Sequence, residues 1–126
     1  MIKKEMEIWG RSLNIEIVFD CYTGEEILEY QKIAYETFLN NSDELLNTVE
    51  NDVKEYCKHT NPQDIAESEI QNIFKYVKPK TLYLPRIDNG KRTVVLLCAY
   101  RFNPDDGLAI VFENESLGKI GTGNII

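Results

Sequence analysis

The fold is decided by the last third of the chain, where residues 93–100 read TVVLLCAY, residues 103–107 read NPDDG and residues 108–112 read LAIVF. The two apolar runs are rich in β-branched and aromatic residues, which are enriched in strands. The NPDDG stretch between them consists of residue types that form tight turns. The sequence therefore predicts an antiparallel ribbon of two strands joined by a turn.

The rest of the chain predicts further strands on both sides of a helical region. Alternating apolar residues predict a strand over residues 13–19, paired as a hairpin with a short strand over residues 4–9. Apolar residues at helical spacing predict three helices, at about residues 25–39, 43–57 and 62–77. Asn40-Asn41-Ser42 is expected to separate the first two helices and Pro79 to end the third.

A short strand at 81–84, a turn at 88–90 and a last strand at 117–121 complete the expected order, which is ββαααββββ. Helices grouped between runs of strands are typical of an α+β fold. We therefore expect one α+β domain over residues 1–126, with an antiparallel sheet and its helices packed on one face. The residues expected in its core are Ile15, Ile17, Phe38, Leu45, Val49, Val53, Phe74, Leu96 and Ile110.

Composition is that of an ordinary globular domain, with 126 residues, 43% of them apolar and 28% charged. No apolar run approaches the roughly 18 residues that a membrane-spanning helix needs. Lys3 and Lys4 are not followed by an apolar stretch, so the N-terminus does not read as a signal peptide. Three widely spaced cysteines, Cys21, Cys57 and Cys98, suit a reducing compartment. These features predict a cytoplasmic protein without membrane contact.

Charge is unevenly distributed along the chain. The net charge is −7, and residues 25–55 alone hold nine acids and two lysines. Residues 75–92 hold six bases and one acid. Solvated faces that keep the protein soluble are one explanation, and an acidic helical face that meets a basic partner is the other. The acids expected opposite the apolar side of their helices, and hence available to a partner, are Glu29, Glu36, Glu44, Asp52 and Glu55.

The residues that catalysis or metal binding requires are sparse. His59 is the single histidine and is expected in a polar loop. Cys57 and His59 are too few ligands for a tetrahedral zinc site, so we expect no metal and no cofactor. Asp105-Asp106 could bind a hard cation or transfer protons, although turn formation explains both residues better.

Two patterns resemble phosphate or nucleic-acid binding but lack what those functions need. Gly118, Gly121 and Gly123 resemble a phosphate loop, yet no helix can follow them in the remaining residues. The basic segment 75–92 carries Tyr76 and Tyr83, as single-stranded nucleic-acid sites do, but a pI near 4.7 opposes a polyanion. We therefore expect no nucleic-acid partner.

Three segments together resemble a family of small bacterial proteins of unknown function: residues 31–40 (QKIAYETFLN), residues 82–85 (LYLP) and the ribbon 102–114 with the strand after it. The family's ribbon usually carries a tryptophan-aspartate turn followed by Glu-His-Gly-Leu. Phe102 and Asp106 replace the aromatic residue and the histidine here, so no role of that histidine is carried over. Such proteins often occur near contact-dependent or polymorphic toxin loci, and the resemblance therefore implies an immunity role.

Two functions of different classes remain. The first is a non-catalytic binding protein, in particular an immunity protein that neutralises a basic toxin such as a nuclease through its acidic face. The second is a small hydrolase or ligand-binding domain with a carboxylate site in the 101–107 turn. A deep pocket lined by Asp105, Asp106 and Arg101 would favour the second function, whereas a flat acidic face would favour the first.

Overall fold

The computed structural model describes residues 2–22, 24–86 and 90–123. Its elements follow the order β1 (Ile2–Ile8), β2 (Arg11–Phe19), α1 (Glu29–Thr60), a short 3₁₀ helix (Ile73–Lys75), β3 (Val77–Leu84), β4 (Thr93–Tyr100), β5 (Leu108–Glu113) and β6 (Ser116–Thr122). The α+β class is confirmed. The turn expected at 88–90 lies largely outside the described residues.

The six strands form one sheet in the order β1-β2-β3-β4-β5-β6, so β1 and β6 are its edges. Every neighbouring pair is antiparallel except β2 and β3, which are parallel. The sheet is therefore mostly antiparallel, as expected, with this one parallel pair. Parallel neighbours need a long crossover connection, and α1 with the segment after it provides that connection.

The expected first and second helices are one continuous helix of 32 residues. Asn41 and Ser42 do not cap a new helix, because their side chains donate to the carbonyls of Thr37 and Leu39 in the preceding turn. Buried Phe38 and Leu46 on either side of these polar residues pack into the same core. Packing of that face sustains the helix through weak helix formers.

At 1.5 Å per residue, α1 is about 48 Å long, whereas six strands at 4.8 Å spacing span about 24 Å. The helix contacts both edge strands, β1 and β6, as well as β3 and β4. It therefore crosses one whole face of the sheet.

The prediction of a third helix was also wrong. Ile70, Ile73, Phe74 and Val77 are buried as predicted, but they lie in a loop, in the 3₁₀ helix and at the start of β3. Pro79 lies inside β3, at the register shift between Pro79 and Thr81, where a residue without an N–H group is tolerated. An apolar spacing of three and four residues does not distinguish a short helix from a buried irregular segment.

The core lies between α1 and the sheet. Of the nine residues expected to be buried, eight are buried and Leu45 is half-buried. Gln31 is a buried polar residue that the sequence did not single out. Its side-chain nitrogen donates to the carbonyls of Asp20 and Leu84 at 2.9 and 3.0 Å, and its oxygen accepts from the Leu28 N–H at 2.9 Å. Gln31 thereby fixes the start of α1 to the ends of the parallel pair β2 and β3.

Two tight hairpin turns join the strands at the two edges of the sheet. Trp9 and Gly10 join β1 to β2 with φ angles of 52° and 85°, as a two-residue type I′ turn requires. The Trp9 indole N–H donates to the Leu46 carbonyl at 2.8 Å, so this turn is attached to the middle of α1. Asn114 and Glu115 join β5 to β6 in the same conformation, with φ angles of 49° and 59°.

Candidate binding site

The five acids predicted for partner binding are all exposed on α1. Because the helix is continuous, the angular positions of all five acids around its axis follow from the helical period. At about 100° per residue, Glu29 and Glu36 are rotated by roughly 60–160° from Glu44, Asp52 and Glu55. The structure therefore brings three of the acids together and leaves the other two on a different side, nearer the N-terminus of the helix.

Glu44, Asp52 and Glu55 line a groove between α1 and the edge strand β6, which we call the α1–β6 groove. It consists of two adjoining depressions of about 320 and 490 Å³. Both depressions include Asp52 and Leu117, so they are continuous. The helix supplies acidic side chains on one wall of the groove, and β6 supplies the other wall, which includes one cation, Lys119.

The three groove acids make no ion pair with any other residue of the described ranges. Elsewhere on the helix, Glu50 pairs with Lys54 at 3.2 Å. The groove acids therefore have charge available for a cationic partner. Their exposure keeps each carboxylate hydrated, so the groove favours long-range attraction over tight burial.

Glu115 also lines the groove and is held in place. Its carboxylate accepts two hydrogen bonds from the Arg92 guanidinium, both at 2.7 Å. The Arg92 backbone N–H donates to the Asn114 side-chain oxygen at 2.9 Å, and the Arg92 carbonyl accepts from the Asn114 N–H at 2.9 Å. These bonds hold the positive-φ turn against the start of β4. The hydrogen bonds and charge of Glu115 also raise the pKa of Arg92.

The other candidates for chemistry are not assembled into a catalytic site. His59 lies in the last turn of α1 and lines the groove, so its expected position in a loop was wrong. Cys57 and Cys98 are buried, and burial raises the pKa of both thiols, the opposite of what activates a nucleophile. Within the described ranges, no group of three or more histidine, cysteine or acidic residues is placed to hold a metal ion.

The 101–107 turn is closed by hydrogen bonds to Asn103. The Asn103 side-chain oxygen accepts from the Asp106 N–H at 3.1 Å, and its carbonyl accepts from the Gly107 N–H at 2.8 Å. Gly107 has a φ of 69°, and a Cβ there would lie 2.4 Å from the Cys98 carbonyl oxygen. Asp105 and Asp106 are exposed on the outside of this turn.

A separate pocket of about 330 Å³ lies beside that turn, where β3 begins and β4 ends. We call it the β3–β4 pocket. Neither Asp105 nor Asp106 lines it. Its charged residues are Lys75, Lys78 and Arg101. Arg101 therefore lines a pocket with other cations and without the two aspartates of the turn.

The basic segment 75–92 is partly neutralised in the fold. Arg86 pairs with Glu25 at 2.6 Å, Lys91 with Glu113 at 2.9 Å and Arg92 with Glu115 at 2.7 Å. The bases of β3 and the turn before it remain exposed. The positive charge of the segment is therefore concentrated at the β3–β4 pocket.

Fold and surface together define a small α+β protein in which one long helix crosses a six-stranded, mostly antiparallel sheet and presents an acidic groove. The chain belongs to the family described as domain of unknown function DUF6985, whose sequence model matches residues 2–126. No curated protein and no solved structure matches the chain. Within the described residues, no helix has both the length and the apolar character needed to cross a bilayer.

Proposed function

We propose that this chain is a non-catalytic binding protein that captures a cationic protein through the α1–β6 groove. The observation that carries the proposal is the position of Glu44, Asp52 and Glu55. They are exposed, unpaired within the described residues, and gathered along one groove. Complementary charge accelerates the encounter of two proteins and selects against partners of like charge.

The groove also offers apolar contact. Leu45 and Leu117 are half-buried and line it beside the acids. A partner that places lysine or arginine side chains against the carboxylates can bury part of this apolar surface with their stems. The partner we propose is therefore a basic protein surface with long cationic side chains.

A finer form of the proposal is that the partner is a basic toxin, such as a nuclease, and that binding neutralises it. A nuclease presents lysine and arginine side chains where it holds phosphate. Carboxylates placed over such a surface compete with the nucleic acid for the same cations. Support for this form comes from the acidic groove and the family resemblance seen in the sequence.

The test uses two variants with the same change in net charge. In the groove variant, Glu44→Lys is combined with Asp52→Lys, and in the control, Glu29→Lys is combined with Glu36→Lys. All four residues are exposed on α1, so neither change should disturb the core. Proteins captured from the native host are compared among wild type and both variants, and the association rate of each is then measured with purified protein.

We expect a cationic protein whose association is slowed roughly tenfold or more by the groove variant and much less by the control. Raising the salt concentration from about 0.1 to 0.5 M should weaken wild-type binding, because screening shortens the range of the attraction. Equal slowing by the two variants would mean that net charge alone matters. If no captured protein binds more slowly to the groove variant than to wild type, the proposal is contradicted.

A further inference from the structure

The β3–β4 pocket has properties that the acidic groove does not explain. Lys78 and Ala99 are register partners at the pocket, and the Arg101 N–H donates to the Tyr76 carbonyl at 2.9 Å. The two strands therefore fix the backbone from which Lys78 and Arg101 project. Residues far apart in the sequence converge here through strand register.

Two tyrosines that line the pocket, Tyr76 and Tyr100, are held by a neighbouring aromatic ring. Tyr76 and Tyr100 are nearly inaccessible, each 5% exposed. The Tyr76 ring stacks on Phe102 with a centroid separation of 5.5 Å, and the Tyr100 ring meets the same phenyl group edge-on at 5.6 Å. The Tyr76 hydroxyl also donates to the Glu67 carboxylate. A ligand would therefore meet a prearranged surface, which reduces the entropy lost on binding.

The rim of the pocket is cationic. The Arg101 guanidinium lies 5.9 Å from the centroid of the Tyr76 ring, and the Lys75 ammonium lies 5.5 Å from it. Lys75 is 3.8 Å from Glu67, whereas Lys78 and Arg101 form no ion pair within the described residues. No acidic residue lines the pocket. This local positive field stands out in a chain whose net charge is −7.

We infer that the β3–β4 pocket binds a small amphiphilic anion, which has one acidic group on an apolar body. The acidic group would pair with Arg101 and Lys78, since a guanidinium can bind a carboxylate, phosphate or sulfonate through two parallel hydrogen bonds. The apolar body would lie against the apolar lining residues, in particular Ala99 and Pro104. A volume of about 330 Å³ is at the small end of the range for small-molecule sites.

The test uses 8-anilinonaphthalene-1-sulfonate, an apolar ring system with one sulfonate, and its neutral counterpart N-phenyl-1-naphthylamine. Fluorescence titration measures affinity, and amide chemical shifts locate the site. We expect saturable binding of the sulfonate with shifts at Lys78, Ala99 and Arg101. We expect the neutral amine to bind at least roughly tenfold more weakly, because it lacks the group that pairs with the cations.

A variant that combines Lys78→Gln with Arg101→Gln should bind the sulfonate roughly tenfold or more weakly. The matched control combines Lys3→Gln with Lys32→Gln, which removes the same charge from exposed residues outside the pocket. If the amide spectrum of the double variant shows that its fold has changed, the single variant Lys78→Gln is used to test the site instead. The inference would be overturned if binding of the sulfonate did not saturate, or if its chemical-shift changes lay outside the pocket. It would also be overturned if the neutral amine bound with equal affinity, or if the double variant bound the sulfonate as tightly as wild type.

Discussion

The two faces of the sheet differ in what covers them. On the face towards α1, alternate residues of β4 such as Leu96 and Cys98 join the large core cluster, which includes helix residues. On the opposite face, Val95 joins a small cluster with Ala109 and Val111, and within the described residues this cluster contains strand side chains only. Val95 and Leu96 are nevertheless each only 1% exposed.

Exposure alone therefore does not distinguish the two faces. A residue beneath the helix is enclosed between two layers, so removing its side chain leaves a cavity that the surroundings cannot fill freely. A residue on the opposite face is covered by its neighbours within the sheet, and these can shift towards the gap. The comparison indicates that packing beneath α1, more than low solvent exposure, determines how much a buried side chain stabilises the fold.

The largest expected effect tests this comparison with the same substitution at neighbouring positions. Leu96→Ala, beneath the helix, should lower the free energy of unfolding by about 2–5 kcal/mol. Leu97 is half-buried and points to the opposite face, where Leu97→Ala should cost only about 1–2 kcal/mol. Denaturant titrations of the two variants measure both values. An equal loss would show that the opposite face is covered as tightly as the helix face.

The next effect concerns side chains that hydrogen-bond on each face. Trp9→Phe removes the buried bond from the indole N–H to the Leu46 carbonyl and some ring volume, and should cost about 1–3 kcal/mol. Tyr83→Phe removes a hydroxyl that hydrogen-bonds the exposed residue Asp20 on the opposite face, and should stay within about 0.5 kcal/mol at pH 7. A larger loss for Tyr83→Phe, measured by denaturant titration at pH 7, would reverse the ranking of the faces.

Sequence reasoning was most successful where local patterns decide the structure. Alternation placed Ile15 and Ile17 in a strand, and turn residues placed β4 and β5 in a ribbon, because side-chain period and turn chemistry are local properties. Continuity of α1 could not be predicted, since it depends on packing that outweighs the weak helix propensity around Asn41 and Ser42. The parallel pairing of β2 and β3 follows from the path of that same helix.

The candidate sites show the same division. Exposure of the acids on α1 follows from helical spacing and was confirmed. Their grouping was not predictable, because the position of β6 beside Glu44 and Asp52 depends on the sheet order. Arg101 and Lys78 are separated by a whole hairpin, so only the register of β3 and β4 brings them together. Gln31 gave one signal that could have been noticed, a polar residue on the apolar side of a predicted helix.

The last comparison is visible only at alkaline pH and concerns two tyrosines on opposite faces. Burial raises the pKa of Tyr100, towards the helix, to about 12. Burial, together with the hydrogen bond and charge of Asp20, raises the pKa of Tyr83 to about 12 on the other face. The unfolded chain releases these protons near the ordinary pKa of about 10, so the folded state binds more protons between pH 10 and 12. The free energy of unfolding should therefore fall as pH rises through that window.

Denaturant titrations at pH 9 and 11.5 measure this fall for wild type, Tyr83→Phe and Tyr100→Phe. Each variant should lose less stability than wild type between the two pH values, because phenylalanine has no proton to release. Salt at about 0.5 M should reduce the contribution of Tyr83 more, since the charge of Asp20 is screened while burial is not. If salt reduces the contributions of the two tyrosines equally, charge rather than burial governs the pKa of Tyr100. The helix face would then be less dehydrated than its packing implies.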